Sequence, residues 1–264
     1  MLITLLTDFG YQDSFVGTMK GVILRINPQA RIVDLTHGVP PQDIMSAALT
    51  LRHSIAYFPK GTIHVAVVDP GVGSERRPLL IQSENGYLIG PDNGVLSLAL
   101  QEREPVCAVE LSSPAYHLEP TSATFHGRDI FAAAAAYLSV GIPAPAFGEK
   151  VNQFIRLSVP AARKSAHSID GEIVYIDTFG NLLTNIEEGD LAGLPRDQLT
   201  ISLGAISIPG LAANYSAARQ GNYVALINSW GVLEIAVYKD SARKRMRAKV
   251  GDKVHVTVNS SHGH

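Results

Sequence analysis

Thr62–Pro78 reads TIHVAVVDPGVGSERRP. From Ile63 to Val68 the run is apolar apart from His64, without the polar alternation of a sheet wetted on one face. It predicts a strand buried on both sides, as parallel sheets between helical layers require. The run ends in Asp69, and a Pro-Gly pair, a second glycine and two arginines follow. An acid, a glycine turn and a guanidinium thus gather at the carboxyl end of a strand, where open α/β sheets bind ligands. An ordinary turn with a solvated basic exit has the same composition, so the choice rests on the rest of the chain.

Upstream and downstream the pattern repeats. LITLLT at Leu2, RIVDLT at Arg31, PLLIQS at Pro78 and CAVEL at Cys107 read as further strands. Helical spacing is found over Ser14–Ile26, Asp43–Tyr57, Val95–Glu102 and Asp129–Ser139. After Gly141 prolines interrupt the chain and periodicity fades. Beyond Ile169 short strands alternate with Gly, Asn and Pro turns: EIVYIDTFGNLLTNI, QLTISLG, YVALINSWGVLEIAVY and KVHVTV. The expected architecture is an α/β N-terminal domain with a largely parallel sheet over 1–150, then a linker at 151–169. A small all-β, barrel-like domain follows over 170–264.

Composition excludes several classes of function. The chain has 264 residues, 46% of them apolar, and 22 Lys+Arg against 24 Asp+Glu give a net charge of −2. No global field draws such a protein to nucleic acid or membrane. The one basic cluster, Arg243–Lys249, reads as a solvated helical face. Cys107 is the only cysteine, so no internal disulfide can form, and its strand setting suits a small buried hydrophobe. The uncharged run Ile130–Gly148 is Ala-rich and broken by Pro143 and Pro145, which fits a buried helix and a loop rather than a membrane span. The amino terminus lacks the basic start of a signal peptide, so a soluble cytoplasmic protein is expected.

Four constellations could carry chemistry. In TDFGYQDSF, Asp8 leaves a strand and Asp13 sits where a helix N-cap would. A carboxylate at a strand exit can bind vicinal ribose hydroxyls, and a second can pair with an ammonium. Asp69 and Arg76 lie seven apart around PGVG, close enough to pair, but the G-K-[ST] ending of a phosphate loop is missing. His126, in TFHGRDIF, stands beside Gly127 before the Ala-rich helix, with room for a ligand or for a structural role. The other histidines show no H-E-x-x-H or paired spacing, so no metal site is expected, and the closing SHGH reads as an exposed tail. Finally, DTFGN at Asp177–Asn181 and NSWG at Asn228–Gly231 set polar groups and an aromatic on turns, as either a flat-ligand site or plain hairpins would.

Taken in order, LLTDFG, KGVI, DLTHGVPPQDI, VVDPGVGSERRPL, GPDNGVL, TFHGRDIFA, IDTFGNLLTNI and NSWGVLEIAV resemble the S-adenosylmethionine hydroxide adenosyltransferases, or SAM hydrolases. These are relatives of the nucleoside fluorinases and chlorinases. The resemblance implies hydrolysis of S-adenosyl-L-methionine to adenosine and L-methionine, by attack of water or hydroxide at ribose C5′. It places the Asp-Arg-His triad on Asp69, Arg76 and His126, and the ribose-binding acid on Asp8. Asp13 and Asp177 match groups that hold the methionine amino end, and Ser229 one that holds its carboxylate. Phe179 and Asn181 match the adenine-binding turn, and Tyr215 a position where an aromatic stacks on the base. Trp230 departs from the smaller or polar residue common there, a change at the methionine end of the pocket. The resemblance also implies a homotrimer, with each active site between the N-terminal domain of one subunit and the C-terminal domain of the next.

The residue types suit that chemistry. A sulfonium is already a good leaving group, so the difficulty lies in the nucleophile. Arg76 beside the water would favour its hydroxide-like state, and His126 or Asp69 could take the proton. No metal or redox cofactor is required. Halogenases of this kind carry a Tyr-Ser pair where this chain has His126-Gly127 and lack the acid matching Asp69, and fluorinases add a loop that is absent here. A non-catalytic sensor of S-adenosylmethionine or adenosine is the alternative from another class, and it would need no such triad.

Overall fold

A computed structural model of the chain describes residues 1–101 and 103–259. The SHGH tail and Glu102 therefore lie outside the described residues. Two compact units divide between Ser158 and Val159.

The first unit contains β1 (Leu2–Thr7), α1 (Phe15–Ile26), β2 (Arg31–Thr36), α2 (Ile44–Ser54), β3 (Thr62–Val67), β4 (Pro78–Gln82), β5 (Gly86–Pro91), β6 (Cys107–Glu110) and α3 (Ala133–Ser139). The sheet order is β2-β1-β3-β5-β4-β6. The first four strands pair in parallel, and β4 runs antiparallel between β5 and β6. Every residue of β3 is buried. Its Ile63, Val65 and Val67 face a core with Met19 and Ile23 of α1 and with Phe131, while Ala66 and the following Val68 join Ala47 and Leu51 of α2 on the other side. Strand alternation thus feeds two cores, which is why the run carries no polar face. The pairing of Thr7 with Val67 sets Asp8 and Asp69 at the same edge of the sheet.

Two expectations need correction here. The helical pattern over Val95–Glu102 yields only a short 3₁₀ turn at Ser97–Leu100, ended by Gln101 in the left-handed region. So short a segment does not sustain a helix alone. Ser97 Oγ instead bonds the Gly94 carbonyl and accepts from Leu157 N, tying two loops together. The sequence reading also has no strand at GYLIGP, which forms β5 in the middle of the sheet. Gly90 is needed there: a Cβ would lie 2.3 Å from the Ala66 carbonyl oxygen of β3.

The second unit contains β7 (Arg163–Lys164), β8 (Ser168–Ile176), β9 (Leu182–Glu187), β10 (Leu199–Leu203), β11 (Ile206–Pro209), β12 (Tyr223–Ile227), β13 (Val232–Val237), α4 (Ala242–Met246) and β14 (Lys253–Val258). The order β11-β10-β14-β8-β9-β13-β12 is antiparallel throughout, with β7 paired to β8. Just past β11, Ala212 N donates to Ala225 O at 2.8 Å and bridges Leu226 of β12, which nearly closes a barrel. Val254 and Val256 alternate inward to meet Ile173, Leu182, Ile201 and Ile235. Each such burial contributes roughly 1.5–3 kcal/mol. The basic stretch forms α4 and its exit, with Arg243, Lys244, Arg245 and Arg247 exposed as a solvated face. No helix among the described residues is long and apolar enough to cross a membrane.

Candidate active site

Beyond β3 the chain turns back through PGVG. Gly73 holds φ +77°, and a Cβ there would meet the Ala123 carbonyl oxygen at 2.4 Å, so glycine lets this turn lie against the loop leading to His126. Arg76 then folds onto Asp69 with a two-pronged grip: Nε donates to Oδ1 at 2.9 Å and Nη2 donates to Oδ2. The same Nη2 lies 2.7 Å from His126 Nδ1. A guanidinium only donates, so Nδ1 accepts and the ring hydrogen of His126 resides on Nε2. The side chains of Arg76 and Asp69 are only 10% and 5% exposed. Arg76 Nη1 is buried too and has no hydrogen-bond partner among the described residues, a donor able to take a ligand oxygen.

His126 stands at the start of a wide π-helical turn, Gly127–Ala132, that runs into α3. Fully buried Asp129 anchors that junction, accepting from Ser122 N at 2.8 Å and from the Arg128 guanidinium. Burial, and then the Arg76 cation, push the His126 imidazole below its ordinary pKa, while Asp69 and Asp129 pull the other way. His126 and Asp69 line a pocket of about 120 Å³ whose apolar wall includes Phe9, Phe15 and Phe125. Charge and oil meet there, as in many ligand sites.

Asp8 leaves β1 beside this cluster on the same sheet edge, its Oδ2 accepting from Gln42 N at 2.8 Å. Its loop is braced from behind. Thr7 Oγ1 accepts from Phe9 N and lies 2.7 Å from His37 Nδ1, and Gly10 N donates to His37 O. His37 Nε2 is 3.1 Å from Asp34 Oδ1, close but out of hydrogen-bond alignment, and Lys20 Nζ donates to Asp34 Oδ2 at 2.7 Å. Burial alone would raise the Asp34 pKa, but Lys20 and His37 outweigh it and hold the group below its ordinary value. Asp13 is exposed on an open cleft with Tyr11 and Lys20. The residue before α1 is Ser14, and its side chain makes no cap bond, so the capping role open to Asp13 in the sequence is not one it performs.

The second unit holds the remaining candidates. Asp177 is the hub of its own turn: Oδ1 accepts from Phe179 N and Asn181 N, and Oδ2 from Asn181 Nδ2 at 2.9 Å. The turn leaves Phe179 74% exposed. Gly180, at φ +85°, packs so closely that a Cβ would sit 2.0 Å from Ser241 Oγ. Tyr215 is 41% exposed and donates its hydroxyl to Glu234. Ser229 is exposed on the turn after β12, and Trp230 beside it packs on Tyr175 with ring centroids 5.1 Å apart.

Residues 3–148 match the SAM hydroxide adenosyltransferase N-terminal domain and residues 171–255 its C-terminal domain. The chain belongs to this family. It is 36% identical over 259 residues to an (R)-S-adenosyl-L-methionine hydrolase from Salinispora arenicola, covering 97% of each chain. A fluorinase from Nocardia brasiliensis is similar at 27% identity over 290 residues, again covering 97% of each. A crystal structure of an uncharacterized conserved protein from Thermotoga maritima superposes with a TM-score of 0.90 at 32% identity, covering 97% of this chain and all of that one.

For a SAM hydroxide adenosyltransferase, the site holds polar groups that sequence reasoning passed over. Asp34, His37 and Asp129 all lie inside quoted motifs, yet each reads in sequence as one more polar residue among several. Glu234 does carry a signal, being the lone charge inside the apolar run VLEIAV. Among the described residues no cluster of three or more His, Cys, Asp or Glu is placed to hold a metal ion.

Proposed function

We propose that this protein hydrolyses S-adenosyl-L-methionine to adenosine and L-methionine, with Asp69, Arg76 and His126 as the catalytic group. The observation that carries the reading is Arg76, gripped by Asp69 and His126, with one buried guanidinium nitrogen to spare. A water oxygen attacks ribose C5′, the new O–C5′ bond forms, and the C5′–S pair leaves on sulfur, which becomes a neutral thioether. The water must lose a proton. His126 already spends Nδ1 on Arg76 and carries its hydrogen on Nε2, so it is a donor. Asp69 keeps further lone pairs on both oxygens and has the capacity to accept. Such proton transfer is worth roughly 10²–10⁴ in rate, and in-line placement of the water adds more. No metal or redox cofactor takes part.

Asp8 would bind the ribose hydroxyls. Asp13, Asp177 and Ser229 would hold the amino-acid end, and Phe179, Asn181 and Tyr215 the adenine. Exposure of Phe179 and Tyr215 supports a further element of the reading, a homotrimer whose active sites lie between neighbouring subunits, and a cytoplasmic location is part of the same proposal. Light scattering tests the trimer.

The activity itself is tested by incubating purified protein with each sulfur epimer of S-adenosyl-L-methionine, with and without chloride, and separating the products. Adenosine and methionine in both buffers, lost in Asp69→Ala and His126→Ala, are expected. A 5′-halo-adenosine formed only with halide would make it a halogenase. Saturable binding without turnover would leave a sensor.

A further inference from the structure

Glu234 is the one acid in the centre of β13, and it is 2% exposed. Its partners are neutral. Oε1 accepts from the Tyr215 hydroxyl at 2.8 Å, and Oε2 from Asn228 Nδ2 at 3.0 Å. The Asn228 amide cannot turn over, because its Oδ1 accepts from Trp230 N at 2.9 Å and Val232 N at 3.3 Å. Burial makes a carboxylate here costly, and Asp177 adds to the cost, so the Glu234 pKa is pushed up. A buried acid with no cation is weak evidence for stability; its use is to fix one arrangement of its partners.

Those partners are the two edges of the proposed substrate surface. Tyr215 lies in a single 3₁₀ turn, capped by Asn214, with its ring substantially exposed and its hydroxyl as the far tether. Asn228 opens the turn that carries Ser229 and Trp230. We infer that Glu234 is a positioning residue: one carboxylate ties the exposed Tyr215 ring to the Asn228–Gly231 turn, so that base-stacking and amino-acid-holding elements are presented in a fixed relation. The inference rests on the hydrolase reading for the identity of the ligand, and not for the geometry.

The test is steady-state hydrolysis of S-adenosyl-L-methionine, with calorimetric binding of adenosine alongside, by the full chain and by Glu234→Ala, Glu234→Gln, Tyr215→Phe and Glu234→Ala/Tyr215→Phe. Losing both tethers should raise KM about tenfold in Glu234→Ala and leave kcat within about threefold. Glutamine offers an acceptor to Asn228 and a donor to the Tyr215 oxygen, so Glu234→Gln should recover to within about threefold of the wild-type KM. Tyr215→Phe should weaken adenosine binding several-fold, and Glu234→Ala should add less in that background than alone.

Equal KM in Glu234→Ala and wild type overturns the proposal. So does a Glu234→Ala effect that is the same with and without the tyrosine hydroxyl, and so does a fall in kcat with KM unchanged. If Glu234→Ala fails to fold, Tyr215→Phe decides, since its ring is at the surface: unchanged adenosine binding sinks the tether. A wild type that turns over neither epimer defeats the hydrolase reading alone, because adenosine affinity across the variants still measures positioning. A wild type that binds no adenosine overturns both.

Discussion

Two carboxylates, Asp69 after β3 and Glu234 within β13, each organise a cluster of three side chains. Their surroundings differ in one respect. Asp69 is gripped by a guanidinium, which also reaches His126 and keeps a nitrogen in reserve. Glu234 has only a phenol and an amide, both neutral, each donating one hydrogen to it. A cluster with a cation and a spare donor can respond to charge that develops during a reaction. A cluster of neutral donors turned on one carboxylate has no positive charge to offer a reacting atom, but it holds directions well. On the proposed function, the contrast puts the chemistry in the first unit and gives Glu234 of the second a part in recognition only.

The largest effects should follow that division. Arg76→Ala removes the donor proposed to hold the attacking water and leaves Asp69 and His126 without their shared partner. Turnover should fall at least about 10³-fold, while adenosine affinity, measured by calorimetry, stays within a few-fold. Tyr215→Phe should do the reverse, moving affinity and sparing kcat. An Arg76→Ala protein that keeps its kcat but loses its affinity would erase the distinction between the two clusters.

Much of this was legible before any coordinates, for a physical reason. Strand β3 and the acid after it announce themselves because burial on both faces forbids polar alternation. The Asp69–Arg76 pair is visible because seven residues around two glycines can fold back on themselves. Strand β5 was not legible, since GYLIGP carries two glycines and a proline that mark turns in isolation. Only the close approach to Ala66 explains Gly90. The support behind Asp8 was hidden for a related reason: Thr7, Asp34 and His37 come from β1, β2 and the loop after it, and only the parallel pairing of those strands joins them. Asp13 shows the opposite failure, a cap position in sequence where the chain starts its helix one residue later.

Acid should separate the units further. His64 is 5% exposed, bonded to Thr4 Oγ1 at 2.8 Å and met edge-on by Phe58, and burial lowers its pKa to about 4. Its folded value lies below its unfolded value, so stability is full above about pH 6.5 and drains as pH falls toward 4. Between pH 7 and 5 this one group should cost the first unit about 2 kcal/mol. Glu234 has the opposite sign. Its pKa is raised, so the folded state takes up the proton first and the second unit gains stability as pH falls through that value. Hydrogen exchange, corrected for intrinsic rates and read segment by segment, should show β3 amides losing protection on acidification while β13 amides hold theirs. His64→Asn, which keeps a polar partner for Thr4 and does not titrate here, should remove that share of the first response and leave the part due to His53, whose burial lowers its pKa to about 4, and to His126. Equal loss in both units, or a His64→Asn protein as acid-sensitive as the wild type, would remove His64 as the source of the difference.

The finest test lies inside the first cluster, where opposing charges act on one imidazole. Burial is the leading cause of the lowered His126 pKa, the Arg76 cation adds to it, and the Asp69 and Asp129 carboxylates oppose it. His117 contributes a small push downward. In an NMR titration of His126, Arg76→Gln should therefore raise its pKa, and Asp69→Asn should lower it. The burial contribution stays in both variants, so neither should restore the ordinary value in full. The sign also bears on catalysis. A protonated ring would set an Nδ1 hydrogen against the Arg76 donor, so the working form is neutral, and the acid-side decline of kcat/KM should come at a lower pH than an ordinary imidazole would give. If Asp69→Asn instead raises the His126 pKa, the arginine has left the imidazole along with the acid, and the two-pronged grip of Asp69 is what keeps Arg76 in reach of the ring.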